Sequence, residues 1–161
     1  MIKLFVMDVD GTLTNGAICI SGSGELFKSF NVKDGFALSN IINVGCSTCI
    51  ITSRQSEIVS MRSKELKISY VFQGVSSKAD TLKTLIETLG ISENEVAYIG
   101  DDLNDIECIK LVGYSSCPRD AYSEIKPLVN YVCSSDGGKG AVREFVDYLV
   151  KMGEIPNYYD Y

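Results

Sequence analysis

Leu4-Phe5-Val6-Met7-Asp8-Val9-Asp10-Gly11-Thr12-Leu13-Thr14 carries both the architecture and the chemistry of this chain. Its first apolar residues run without alternation, which predicts a strand over 4–8 buried on both faces, as in a parallel sheet. Asp8 and Asp10 follow, separated by one residue. While the chain stays extended, such a pair points to one side. Gly11 then lets the backbone turn away close to a ligand. Paired acids at a strand end suit an open α/β sheet, where ligands gather beyond the carboxyl ends of the strands.

Downstream, short apolar runs alternate with segments of helical period. Residues 17–21 and 25–30 flank Gly22-Ser23-Gly24 and predict a β-hairpin. Helices are predicted from 34 or 35 to about 44, and over 56–66, 78–89, 104–112 and 141–152; Gly45 and Gly90 stop two of them. Further strands are predicted at 48–52, 70–73, 96–100 and 131–133. This βαβ rhythm predicts an α/β protein, a Rossmann-like three-layer sandwich with a mostly parallel central sheet and helices on both faces. The hairpin is expected to project or to pack on the sheet, because an isolated two-stranded ribbon is marginal. One domain is expected over 1–152, with the hairpin inserted. The Gly/Ser-rich segment 134–140 and the tail 153–161 read as mobile. A chain of 161 residues holds a self-sufficient core but no sizeable lid.

The sequence contains no histidine, which excludes a Ser–His–Asp triad, a Cys–His pair, an HExxH zinc site and a phosphohistidine. Acid–base work falls to Asp, Glu, Lys, Cys or Tyr. A net charge of −6 argues against nucleic acid as a partner, yet local Lys and Arg still suit a small anion. No run approaches the length of a membrane span and the N-terminus does not read as a signal peptide, so no membrane partner and a cytoplasmic location are expected. The six cysteines lie mostly in apolar stretches and read as reduced and buried. Cys46-Ser47-Thr48-Cys49 runs straight into a strand, whereas a redox C-x-x-C opens a helix.

The predicted strand ends bring Asp8 and Asp10, Thr52, and Asp101 with Asp102 to one edge, and Lys78 at a helix start joins the same rim. One carboxylate of the first pair can attack while the second handles protons. Acids at this density repel one another unless a hard cation such as Mg²⁺ sits between them.

These segments resemble the four motifs of the haloacid dehalogenase superfamily: Asp8-Val9-Asp10-Gly11-Thr12, the strand-end Thr52, Lys78, and Gly100-Asp101-Asp102-Leu103-Asn104-Asp105. Residues 30–35, 51–54, 72–74 and 138–144 are similar to its small, capless branch. That branch holds the 3-deoxy-D-manno-octulosonate 8-phosphate phosphatases, the nonulosonate 9-phosphate phosphatases and the C-terminal domains of animal acylneuraminate cytidylyltransferases. The resemblance implies a Mg²⁺-dependent phosphatase of a sugar-acid phosphate. Asp8 would form an aspartyl-phosphate, and Asp10 would protonate the leaving oxygen and then activate water. Mg²⁺ would be held by Asp8, the backbone carbonyl of Asp10, and Asp101. Thr52 and Lys78 would bind phosphoryl oxygens, with Asp102 and Asp105 supporting. Asn31, Val32, Lys33, Asp34, Gly35, Arg54, Arg62 and Lys139 match the branch's sugar-binding positions.

Octulosonate phosphatases usually carry Arg where this chain has Ser39 and Lys139, while Arg54 is of the octulosonate type. The octulosonate 8-phosphate is therefore the first expected substrate and a nonulosonate 9-phosphate the alternative. An idle assembly domain has no need of the complete acidic set. A response-regulator receiver normally carries its phosphoacceptor after a later strand. The resemblance also implies a homotetramer whose neighbouring subunits cover the open site, with the hairpin as the natural contact.

Overall fold

A computed structural model of the chain describes residues 1–159; Asp160 and Tyr161, the end of the predicted tail, lie outside the described residues. In chain order the elements are β1 (Leu4–Met7), β2 (Cys19–Ser21), β3 (Gly24–Phe27), α1 (Val32–Ile41), β4 (Ser47–Ile51), α2 (Glu57–Glu65), β5 (Tyr70–Phe72), α3 (Lys78–Leu89), β6 (Val96–Ile99), α4 (Ile106–Leu111), β7 (Tyr114–Cys117), β8 (Tyr131–Val132) and α5 (Ala141–Lys151). Six strands pair in the order β5-β4-β1-β6-β7-β8, each neighbour parallel. All four residues of β1 are buried. Phe5 and Met7 face the layer of α1, α2 and α5, while Leu4 and Val6 face that of α3 and α4.

The chain leaves β1 toward β4 and β5, then crosses back to β6 and continues to β7 and β8. Right-handed crossovers running in opposite directions put their helices on opposite faces. The loops after β1 and β6 therefore diverge, and a crevice opens at the carboxyl ends of these two central strands.

Several boundaries differ from the sequence pattern. Helix α1 begins at Val32, because Asn31 caps it by accepting the Lys33 N–H at 2.8 Å. It ends in a 3₁₀ turn, Ile42–Val44, that Gly45 closes at φ 90°. The predicted helix over 104–112 is a 3₁₀ turn, Leu103–Asp105, followed by α4. Strand β7 has no apolar run to announce it. Its buried Ser115 is satisfied by Asn130 at 2.7 and 3.0 Å and Ser116 by Cys133. Cys46 and Cys49 are buried, and burial pushes both thiols up, Cys46 to about 12.

The hairpin β2–β3 forms its own two-stranded sheet and leaves Ile18, Ile20, Leu26 and Phe27 exposed. The segment over 134–140, mobile by composition, is tied down instead. Glu144 accepts the N–H groups of Ser134 and Ser135 at 2.7 and 2.9 Å, and Gly138 donates to Thr12 O at 3.0 Å. The tail is anchored as well: Ile155 and Tyr158 are buried, and the hydroxyls of Tyr158 and Tyr159 both donate to Asp147. No helix of the described residues is long and apolar enough to cross a membrane.

Candidate active site

Asp8 leaves β1 with its N–H on Ile99 O, so the sheet carries it to the crevice, where it is 5% exposed. The chain then folds tightly: the N–H groups of Thr12, Leu13 and Thr14 all donate to Val9 O. Gly11 sits at φ 94°, and a Cβ there would lie 2.0 Å from Asp101 Oδ2. Glycine is thus what lets the turn after β1 meet the carboxylate after β6. Thr12 Oγ1 donates to Asp101 Oδ1 at 3.3 Å.

Lys78, the first residue of α3, is placed by the Ser77 cap. Its buried ammonium donates to Asp8 Oδ1 at 2.7 Å and to Asp105 Oδ1 at 2.8 Å. Asp105 also accepts the Tyr98 hydroxyl at 2.6 Å and the N–H groups of Asp101 and Asp102 at 2.9 and 3.2 Å. Both of its oxygens are therefore engaged within the protein. Asp8, Asp101 and Asp105 have oxygens within 4.8 Å of one another, and of these three Asp8 and Asp101 line the cleft while Asp105 lies fully buried behind them. Burial, then the charge of Asp105, pushes Asp8 up to about 6, against the pull of Lys78. Burial, then the charges of Asp8 and Asp105, pushes Asp101 up to about 8. Two oxygen donors that resist ionising side by side fit a hard dication, which takes the place of their protons.

A cleft of about 180 Å³ brings together Asp8, Asp10, Thr52, Arg54, Lys78, Asp101 and Asp102 among the predicted residues, with Ser53 and Asn104. The predicted sugar-binding positions are dispersed. Asn31, Asp34, Gly35 and Arg62 line a separate cavity of about 10 Å³ together with Val9 and Leu13. Arg62 lies over the Phe30 ring and pairs with Glu65 at 2.8 Å. Val32 and Lys33 are exposed on the first turn of α1, and Lys139 is exposed on the loop over 134–140, outside the cleft lining. Asp34 departs from its expected place on the sugar. It is 1% exposed and accepts the Arg143 N–H at 2.8 Å, so it caps α5 from α1. Burial, opposed by the N–H groups of Arg143, Gly140 and Val142, pushes its carboxyl up to about 6.

Sequence reasoning overlooks Lys28 and Glu25. Lys28, just past β3, donates to Asp10 Oδ1 at 2.6 Å and pairs with Glu25 Oε1 at 3.0 Å. Glu25 Oε2 accepts the hydroxyl of Ser56, the N-cap of α2, and Arg54 Nε lies 3.8 Å from Asp10 Oδ2. Burial alone would lower Lys28, but the two carboxylates hold it above its ordinary value. The available signal was two opposite charges set three apart around the apolar pair Leu26-Phe27.

Residues 48–145 match the family of haloacid dehalogenase-like hydrolases. The chain is 39% identical over 149 residues to the 3-deoxy-D-manno-octulosonate 8-phosphate phosphatase of Escherichia coli K12, covering 92% of this chain and 79% of that one. The Moraxella catarrhalis phosphatase of the same description, solved with a magnesium ion, a phosphate ion and a KDO molecule, superposes with a TM-score of 0.90 at 39% identity over 93% of this chain and 86% of that one. The cobalt-bound Haemophilus influenzae phosphatase gives a TM-score of 0.90 at 34% identity over 93% and 88%. Identity at this level across nearly the whole chain, with the same fold, means that the protein belongs to the haloacid dehalogenase-like hydrolases, in the family of the 3-deoxy-D-manno-octulosonate 8-phosphate phosphatases.

Proposed function

We propose that the protein is a Mg²⁺-dependent phosphatase that releases phosphate from 3-deoxy-D-manno-octulosonate 8-phosphate. The observation that carries this reading is the buried Lys78 bridging Asp8 and Asp105, with Asp101 and Asp10 on the same cleft. The carboxylates of Asp8 and Asp101 and the backbone carbonyl of Asp10 would hold Mg²⁺, which when bound would supply positive charge to keep both acids ionised and to offset the charge of the phosphoryl group.

The Asp8 carboxylate attacks phosphorus, and the bond to the sugar's 8-oxygen breaks as Asp10 gives that oxygen a proton. The aspartyl-phosphate so formed is cleaved by water, which loses its proton to the Asp10 carboxylate; phosphate departs and Asp8 is regenerated. Lys78 and Thr52 bind the phosphoryl oxygens where transition-state charge gathers. Asp105, braced by Tyr98, keeps the Lys78 ammonium in place, and Asp102 supports the loop it shares with Asp101. Arg54 offers its guanidinium to the sugar carboxylate. Arg62, Asn31 and Gly35 line their own small cavity outside the cleft, and the exposed Val32, Lys33 and Lys139 are available to substrate or to a neighbouring copy.

The exposed apolar residues of the hairpin support assembly into a homotetramer that shelters the cleft. Six free cysteines suit a reducing cytoplasm. Phosphate release from the octulosonate 8-phosphate, nonulosonate 9-phosphates and hexose phosphates, with Mg²⁺ and with EDTA, tests the activity. Turnover is expected to be fastest on the first, lost with EDTA and restored by Mg²⁺; metal-independent turnover overturns the mechanism. Sedimentation velocity tests the assembly, and a stable active monomer overturns it.

A further inference from the structure

In the proposed reaction Asp10 must give a proton in one step and take one in the next, so its carboxylate has to face the leaving oxygen and then the water. Among the described residues its hydrogen-bond partner is Lys28, at 2.6 Å. The Lys28 side chain is 2% exposed, although Leu26 and Phe27 beside it are more than half exposed. A lysine is buried only where its charge is met, and Asp10 and Glu25 meet it at 2.6 and 3.0 Å. Glu25 is held in turn by the Ser56 hydroxyl. Ser56 opens α2 two residues after Arg54, whose guanidinium approaches the other oxygen of Asp10. The line Asp10–Lys28–Glu25–Ser56 thus runs from the loop after β1, through the hairpin, to the loop after β4. An exposed ion pair of this kind contributes little; this one is sheltered and ends on the acid–base group.

We infer that Lys28 is a positioning residue that fixes the Asp10 carboxylate for proton transfer, so that the hairpin completes the active site of its own chain. The inference rests on the phosphatase reading and adds to it a part that the acidic motifs do not contain. Its consequence depends on the leaving group. A sugar alkoxide needs a proton as it departs, whereas p-nitrophenolate departs without one.

The test compares wild type, Lys28→Met, Lys28→Arg and Glu25→Gln at saturating Mg²⁺, with octulosonate 8-phosphate and p-nitrophenyl phosphate, in steady state and in a single turnover. Lys28→Met is expected to lower kcat on the sugar phosphate roughly 100-fold with KM within about threefold of wild type. Single-turnover release of p-nitrophenolate should fall less than about fivefold, since that step needs no acid. Lys28→Arg should restore roughly a tenth or more of wild-type kcat by returning a cation to Asp10. Equal losses on both substrates, a change in KM alone, or wild-type rates each overturn the inference. Should Lys28→Met not fold, Glu25→Gln carries the test, with a loss of about fivefold in kcat and the same bias toward the sugar phosphate. If wild type cleaves a different alkyl phosphate, the substrate reading fails, and the leaving-group ratio is then measured on that ester.

Discussion

Lys78 and Asp105 show how a charged cluster survives almost without water. The ammonium contacts Asp8 and Asp105, and Asp105 has four donors for its two oxygens. Asp105→Ala would leave the Lys78 ammonium and the Tyr98 hydroxyl without that acceptor. We expect a loss of about 3–5 kcal/mol in chemical denaturation, as when one partner of a buried pair is removed. Asp8→Asn keeps an oxygen for Lys78 but is no nucleophile, so turnover should fall by at least about 1,000-fold with the fold intact by circular dichroism. Asp34 belongs to stability instead. Its carboxyl stands at about 6 in the fold against 3.8 ordinarily, so the neutral form favours folding. That stability is present in full below about pH 4 and is lost as pH rises through about 6. Wild type should therefore lose of order 2–3 kcal/mol relative to Asp34→Asn between those limits. A slope of the opposite sign in paired denaturation curves would contradict this. The two aspartates were legible because they directly follow the apolar run of β1, although Asp10 already lies in the turn beyond the strand. Asp34 was not, since its partner, Arg143, is 109 positions away.

At the scale of elements, the loop over 134–140 and the turn after β1 act as one unit. A Cβ on Gly137 would lie 1.9 Å from Gly11 O and 2.9 Å from Thr14 O. Gly137→Ala must therefore displace the turn that presents Asp10. A stability loss of about 1–3 kcal/mol is expected, as for an overpacked core, with kcat reduced alongside it. Unchanged activity would show that the turn tolerates the shift. Composition pointed the other way here, because Gly and Ser mark both mobile and closely packed loops; only the facing backbone distinguishes them. Strand β7 escaped for a related reason. Its serines find partners in Asn130 and Cys133, so burial there follows from hydrogen bonding and leaves no apolar run.

Over the whole molecule, the tail closes the layer of α1 and α5. Arg143 lies over the rings of Phe36, Tyr158 and Tyr159, and Ile2 donates its N–H to Glu154 O. Ending the chain after Met152 would expose the surface that Ile155 and Tyr158 cover. Tm is then expected to fall by roughly 6–24 °C in a thermal scan, from about 1.5–3 kcal/mol for each of these two buried side chains. An unchanged Tm would show that the tail adds no stability.

The sequence by itself determined the parallel sheet, the strand-end acids and the need for a hard cation. Period and spacing act along the chain, and strand ends bring their residues to one edge whatever the loops do. Tertiary structure alone decided that Asp34 serves α5 and that Lys28 reaches Asp10. Each of those roles depends on contacts between segments far apart in sequence, where packing and desolvation decide what a carboxylate or an ammonium can do.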